Sequence, residues 1–383
     1  MPRTRSARIA HQPVSQNVPL PPHTPEPLIK KVTDEVNAAG NFDSSDTRCR
    51  QIIGEIERIT GHRTITYFGS QTGFVEDEDS VNIEDLLRIP SSLPGLDLIL
   101  NSSGGYAISA ERIINVCRNY TRNNSGEFRV IVPRLAKSAA TIVALGADKI
   151  LLCDNAELGP IDPQLLLQDK DGRKVSRPMF LIYRAIKELM EGASFELETK
   201  NQKYLQFLQG YSYDIYVSAE NELNLSQDIA KKIAERKREK YPNFTYESLE
   251  KFTDPSKTYS HGRLIGIEDL ETTPLYTQGF IQDMTKYFSN SGSNHLTPTQ
   301  VKSLGNLIWE LFIRWSSHFT NAGNPVNKII EDNNHKFVYF DPDWKPIQLN
   351  PQIPLPLQPP VLPPANPAPT PQQPNPSPQS PSP

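Results

Sequence analysis

The middle of the chain alternates short apolar runs with amphipathic segments. Four runs rich in Ile, Val and Leu are bounded by turn residues, a pattern typical of buried strands. These runs are 63–68, 96–101, 129–133 and 148–153. Helix-compatible segments lie between them, and the segment SAATIVALGA is dominated by small residues that allow close packing. The alternation predicts an α/β architecture with parallel strands.

The pattern changes at about Pro178. Residues 180–240 contain no proline and are helix-compatible throughout, so we interpret 178–250 as an inserted helical arm or lid. A later segment, 297–319, places Leu, Ile, Trp and Phe at helical spacings and is expected to dock on the core.

Proline separates the ends of this 383-residue chain from its middle. Seven of the 35 prolines fall within residues 1–28 and 15 within the last 33 residues. Such segments have few hydrogen-bond donors and little apolar mass, so 1–28 and 342–383 are expected to be unfolded, the latter as polyproline II. The predicted organisation is then a domain over 29–275 with a C-terminal helical extension over 276–341.

Charge and cysteine content exclude several classes of protein. The net charge of −4 provides no general positive field for phosphates, so nucleic acid is not an expected partner. The three cysteines show no CxxC spacing, which argues against a disulfide framework and a thiolate metal site. The sequence contains neither a signal-peptide core nor about 18 consecutive apolar residues, so we expect a cytoplasmic protein without a membrane span.

The first candidate for chemistry is the turn at 101–105, Asn-Ser-Ser-Gly-Gly, which follows one predicted strand and precedes a helix. Paired glycines allow unusual backbone angles and leave their amides unshielded. Such amides bind anionic oxygens at a helix start, although the same pattern also occurs in ordinary turns.

The second candidate is Ser138, where another predicted strand runs into a helix. A serine at this junction either caps the helix or presents its hydroxyl to a cleft. The small residues that follow allow this helix to approach the sheet, which would place Ser138 near Gly104. Adjacent parallel strands deliver both turns to the edge where open sheets bind ligands.

A serine nucleophile needs a base, and the sequence leaves its identity open. His62 precedes a strand and is expected on the side away from the cleft, whereas His261 lies in a loop that leads into a new helix. Lys137 is adjacent to Ser138 and does not face it on a helix. Other lysines remain as alternatives: Lys170, Lys174 and Lys187.

Four motifs in order, NSSGG, KSAATIVALGAD, ELGPIDPQ and YSHGR, resemble the serine dehydrogenase proteinase family. This family is a branch of the Clp-fold serine peptidases, related to the Clp protease proteolytic subunit and signal peptide peptidase A. The resemblance covers roughly residues 46–275. It implies the Clp/crotonase-like fold of stacked ββα units and hydrolysis of peptide bonds.

The resemblance also implies roles for individual residues. Ser138 matches the nucleophile, and the amides of Gly104 and Ala139 match the oxyanion hole. The order of the triad along the chain points to Asp162 and His261. No cofactor or metal is implied, the expected substrate is a peptide or unfolded protein, and related folds suggest a homo-oligomer.

Three alternatives remain at this point. A dyad of Ser138 with Lys170 or Lys174 would resemble signal peptide peptidase A. A catalytically silent scaffold would use its core to oligomerise and its proline-rich tail to recruit a partner. The same paired amides could instead serve acyl-CoA chemistry without a serine nucleophile.

Overall fold

The computed structural model describes most of the chain between the two proline-rich ends. The described residues are 27–38, 43–168, 174–199, 213–254, 257, 260–290, 295–320 and 326–340. The tails predicted to be unfolded, 1–28 and 342–383, lie outside these residues except for Pro27 and Leu28.

The described residues form eleven strands and twelve α-helices. The strands are β1 (His62–Gly69), β2 (Gly95–Asn101), β3 (Phe128–Val132), β4 (Leu135–Ala136), β5 (Lys149–Leu152), β6 (Glu157–Leu158), β7 (Gln164–Gln168), β8 (Lys174–Pro178), β9 (Ile281–Asp283), β10 (Val326–Glu331) and β11 (Lys336–Phe340). The helices are α1 (Leu28–Ala38), α2 (Asp43–Thr60), α3 (Asp77–Arg88), α4 (Ala107–Asn123), α5 (Ala139–Gly146), α6 (Met179–Thr199), α7 (Tyr213–Lys237), α8 (Glu250–Thr253), α9 (Ile267–Leu270), α10 (Pro274–Thr277), α11 (Met284–Asn290) and α12 (Pro298–Thr320).

Seven strands form one sheet in the order β11-β10-β1-β2-β3-β5-β9. The four strands predicted from the sequence are β1, β2, β3 and β5, and they are consecutive parallel neighbours. The predicted positions of these four strands and the predicted α/β class are therefore confirmed. The carboxyl ends of β2 and β3 lead into the glycine turn at 101–105 and the turn before Ser138. Both turns therefore lie at the carboxyl-terminal end of the parallel strands.

The two faces of the sheet are covered by different helices. Along β2, Leu96, Leu98 and Leu100 pack into a core with α3, α4 and α5. Ile99 faces the opposite way, into a second core that contains residues of α2, α11 and α12. Side chains alternate between the faces because successive residues of a strand point in opposite directions.

The second face also buries a charged pair at the start of the strands. Asp97 on β2 lies opposite Arg129 on β3, and both side chains are fully buried. Arg129 donates from Nε to Asp97 Oδ1 at 2.6 Å and from Nη2 to Oδ2 at 2.7 Å. His62 Nδ1 lies 3.2 Å from the same Oδ1 atom. His62 thus belongs to this structural cluster, on the side away from the two turns.

The stretch 276–341, expected to be a helical extension, is only partly helical. It contains α12, close to the predicted 297–319, but also β9 at one edge of the sheet and the hairpin β10–β11 at the other. The buried Lys328 of β10 lies 2.6 Å from Asp79 Oδ1 and donates to the Phe74 carbonyl at 2.9 Å. The polar residues of VNKIIE obscured the strand pattern, since charged side chains are rarely buried unless paired.

The predicted insert 178–250 is helical over much of its described length, as α6 and α7. Ile229, Ala230, Ile233 and Ala234 of α7 pack into the core of the first face. This helix therefore lies against the domain that carries the two turns. Among the described residues, no helix is both long and apolar enough to cross a membrane.

Candidate active site

The glycine turn and Ser138 lie in direct contact. Gly104 has φ +115°, a conformation that favours glycine, and a Cβ atom built on it would lie 2.6 Å from Ser138 Cβ. The turn is held from its other side, because Val75 N donates to the Gly104 carbonyl at 2.8 Å and Tyr106 N donates to the Val75 carbonyl at 2.9 Å. The proximity of Gly104 and Ser138 predicted from the sequence is thus present.

Ser138 occupies a strained position immediately before α5. Its φ of 53° and ψ of −122° are unusual for a residue with a side chain, and such conformations cost on the order of 1–3 kcal/mol. The hydroxyl makes no capping hydrogen bond to α5. The helix-capping role considered for this serine is therefore not the one it adopts.

Two backbone amides near Ser138 make no hydrogen bond to described residues: those of Gly105 and of Ala139, the first residue of α5. The Gly104 amide differs, because it donates to Ser102 Oγ at 3.1 Å. One predicted oxyanion donor, Ala139, is thus available, and the other is occupied. Helix α5 adds a favourable dipole for negative charge at this point.

A cavity of about 410 Å³ joins the two turns to the remaining predicted residues. All five site residues predicted from the resemblance line this cavity: Gly104, Ser138, Ala139, Asp162 and His261. Glu222 and Ser226 of α7 also line it. Sequence reasoning missed these two side chains. Their spacing of four residues places them on one face of a helix, but nothing in the sequence shows what that face covers.

His261 is half-buried at the wall of the cavity. Burial, together with the nearby Lys137 cation, lowers the pKa of this imidazole, so the neutral form able to accept a proton dominates at pH 7. Its Nδ1 atom is buried and has no hydrogen-bond partner among the described residues. Lys137 Nζ donates to the adjacent Gly262 carbonyl at 3.1 Å and pairs with Glu157 at 2.9 Å. These contacts occupy the Lys137 ammonium group, as expected if it is not the base.

Asp162 also lines the cavity and is only 4% exposed. Burial raises the pKa of this carboxyl to about 6, although hydrogen bonds from the Phe180 backbone and the Gln164 side chain oppose the shift. Gln164 Nε2 lies 3.4 Å from Asp162 Oδ2. Within the described part of the chain, no hydrogen bond links Asp162 to His261 or His261 to Ser138. The cavity brings the three residues together without a closed hydrogen-bond chain.

The raised pKa predicts an unusual dependence of stability on pH. Between about pH 4 and pH 6 the folded protein binds a proton at Asp162 that the unfolded chain releases, so the free energy of unfolding falls as pH rises. We expect Asp162→Asn to increase the free energy of unfolding by up to about 3 kcal/mol at pH 8 and by little at pH 4. Urea unfolding at both values measures the change. The exposed Asp85→Asn is the control, and an equal effect at both pH values would contradict the prediction.

Of the three lysine alternatives, the structure describes the side chain of one. Lys170 lies outside the described residues, Lys174 begins β8 and is described only in its backbone, and Lys187 is exposed on α6. The described residues contain no cluster of three or more His, Cys, Asp or Glu side chains that could hold a metal ion.

Two uncharacterized proteins of Methanocaldococcus jannaschii, MJ0137 and MJ1495, are similar to parts of this chain. The first is 40% identical over 92 residues, 24% of this chain and 31% of the relative. The second is 31% identical over 176 residues, 40% of this chain and 58% of the relative. The matches therefore span about a third and somewhat more than half of these relatives.

Two solved structures of mutants of 1510-N, a membrane-bound stomatin-specific protease, also match. One is 17% identical with a TM-score of 0.23 and covers 31% of this chain and 58% of its own. The other, in complex with a substrate peptide, is 19% identical with a TM-score of 0.23 and covers 30% and 53%.

A family match covers more of the chain than any of these four comparisons. Residues 43–282, well over half of the sequence, match the ClpP-like SDH-type serine proteinases. That stretch includes both turns, the cavity and most of the parallel sheet. The chain belongs to the family of ClpP-like SDH-type serine proteinases.

Proposed function

We propose that the protein is a serine endopeptidase that hydrolyses peptide bonds through an acyl-enzyme on Ser138. The observation that carries this proposal is the strained backbone of Ser138. Its hydroxyl does not cap α5, and it adjoins the glycine turn in a cavity that also holds an imidazole and a carboxyl group. Strain of this kind persists where the surrounding structure enforces it, which is common at active sites.

His261 acts as the base in this proposal. It accepts the Ser138 Oγ proton as the oxygen attacks the peptide carbonyl carbon, and it passes the proton to the leaving amine as the C–N bond breaks. Water then hydrolyses the acyl-enzyme. The lowered pKa supports this role, because the imidazole is already neutral. Asp162 orients the imidazole once substrate or loop movement brings the two groups together.

The oxyanion that forms during attack is stabilised by the Ala139 amide and an amide of the glycine turn. Gly104 serves if the Ser102 hydroxyl releases its amide, and Gly105 has an amide without a partner in the described structure. Loss of one such donor costs roughly 3–4 kcal/mol of transition-state stabilisation in a well-measured serine protease.

The identity of the base is tested by fluorophosphonate labelling, with the adduct located by mass spectrometry. We expect His261→Ala to reduce the labelling rate by on the order of 10³-fold or more, and Lys174→Ala to leave it unchanged. Because the His261 pKa is lowered, labelling of the wild type should decline only below the ordinary histidine range of about 6.5.

Other outcomes of this experiment identify the alternatives. Normal labelling of His261→Ala combined with loss in Lys174→Ala would indicate a serine–lysine dyad. A folded wild-type protein that never labels at Ser138 would indicate a silent scaffold. Circular dichroism of each variant shows that a loss of labelling does not come from unfolding.

A further inference from the structure

A second cavity adjoins the candidate active site. It has a volume of about 440 Å³ and is lined by residues of α6, α7 and the short helical segment around Glu250. Ile161 and Ser226 line both cavities, so the two spaces are neighbours across these side chains.

The second cavity is acidic. Glu220, Glu250 and Asp254 line it, and none of the described lining residues is a lysine or arginine. Three exposed lysines lie near the cavity but outside its lining: Lys257 pairs with Glu250, Lys231 Nζ lies 5.6 Å from the centre of the Tyr246 ring, and Lys187 Nζ lies 6.0 Å from the centre of the Tyr183 ring. Glu220 Oε1 accepts a hydrogen bond from the Tyr183 hydroxyl at 3.4 Å. Glu220 has no ion pair among the described residues, so its carboxylate is available to a cationic ligand.

The first cavity continues this pattern on the same helix. Glu222 lines it and has no ion pair among the described residues. The lysine of that cavity, Lys137, is neutralised by Glu157. Glu220 and Glu222 are two positions apart on α7, so they point in different directions, and each serves one of the two cavities.

An independent observation indicates that a polar ligand belongs here. Ser226 is only 4% exposed, and its Oγ atom has no hydrogen-bond partner among the described residues. A buried hydroxyl without a partner costs free energy, so such groups are rare unless something binds them. Because Ser226 lines both cavities, a group that passes between them can bond to it.

We propose that these neighbouring cavities together form the pocket for a lysine or arginine side chain next to the scissile bond. The aliphatic stem packs against Ile161, Leu223 and the Phe180 ring, and the cationic end reaches Glu220. Ser226 accepts a hydrogen bond along this path, and Glu222 adds negative charge at the entrance. The inference rests on the proposed peptidase function, because it assigns the substrate class of the same site.

The test compares fluorogenic peptides that differ at one position: arginine, lysine, citrulline, leucine or glutamate. Citrulline matches arginine in shape but carries no charge. We expect kcat/KM for arginine and lysine to exceed that for citrulline and leucine at least about tenfold. Glu220→Gln should lower kcat/KM for the arginine peptide by about 10- to 100-fold and leave the citrulline peptide nearly unchanged. The exposed Glu235→Gln, on the same helix but outside both cavities, is the matched control.

Fluorophosphonate labelling of the same preparations separates this inference from the proposed function. If the protein labels at Ser138 but cleaves citrulline or leucine peptides as well as arginine peptides, the pocket assignment is wrong and the peptidase remains. Equal kinetics for Glu220→Gln and Glu235→Gln would also overturn it. If Ser138 never labels, both proposals fail together.

Discussion

Ser138→Ala is expected to abolish the fluorophosphonate adduct and to lower peptide hydrolysis by on the order of 10⁴- to 10⁶-fold. The expected loss is large because no other hydroxyl occupies the strained position before α5 beside the glycine turn. Mass spectrometry of the labelled protein and a fluorogenic peptide assay measure the two effects. A variant that still labels or cleaves at the wild-type rate would contradict the assignment of Ser138 as nucleophile.

Ser138→Gly separates the nucleophile from the backbone strain. Glycine adopts a positive φ without a Cβ clash, so this variant should lose activity like the alanine variant yet be more stable than it by about 1 kcal/mol. The matched control is Ser125→Gly, at another serine with positive φ, which lies in an exposed turn. Ser125→Gly should gain stability because it relieves the same kind of backbone strain, and it should label normally at Ser138. Urea unfolding of the three variants checks the order.

Arg129→Met is expected to lower the free energy of unfolding by about 3–5 kcal/mol. Arg129 and Asp97 are both fully buried and form two parallel hydrogen bonds, so removal of the guanidinium leaves a buried carboxylate with only His62 nearby. The Arg129 cation also holds the Asp97 pKa well below its usual range. The exposed Arg88→Met, which breaks a surface pair with Glu84, should change stability by less than about 1 kcal/mol.

The double variant Arg129→Met with Asp97→Leu tests the cause of this destabilisation. If the cost comes from the unpaired buried charge, removal of both charges should recover most of the lost stability. The folded fraction of each variant should still label at Ser138, because the pair lies at the start of the strands and the nucleophile follows their carboxyl ends. A double variant as unstable as the single one would show that packing against the Phe288 ring dominates instead.

The central strands were predictable because each is an apolar run bounded by turn residues. The hairpin β10–β11 was not predictable, because β10 contains the buried Lys328, whose charge is paired with Asp79 of α3. The sequence records neither that pairing nor the burial. Patterns of hydrophobicity therefore identified the middle of the sheet and failed where a buried cation interrupts the apolar pattern.

The residues of the candidate site likewise include some that the sequence predicted and some that it did not. Gly104 and Ser138 were predictable because both follow strands that are parallel neighbours. Glu222 and Ser226 were not, because their position depends on how α7 packs over the cavity. The roles of Asp162 and His261 remain predictions, as do assembly into a homo-oligomer and recruitment through the proline-rich tail.

Because β10 pairs with β1, the folded sheet extends beyond residue 282, where the family match ends. A recombinant fragment that ends at residue 282 would keep the whole family match, yet it would expose the hydrogen-bonding edge of β1 to association with other chains. It would also leave Asp79 buried without Lys328 and free the Phe74 carbonyl, next to the Val75 backbone that holds the glycine turn. Expression trials of this protein should therefore keep the segment through residue 340.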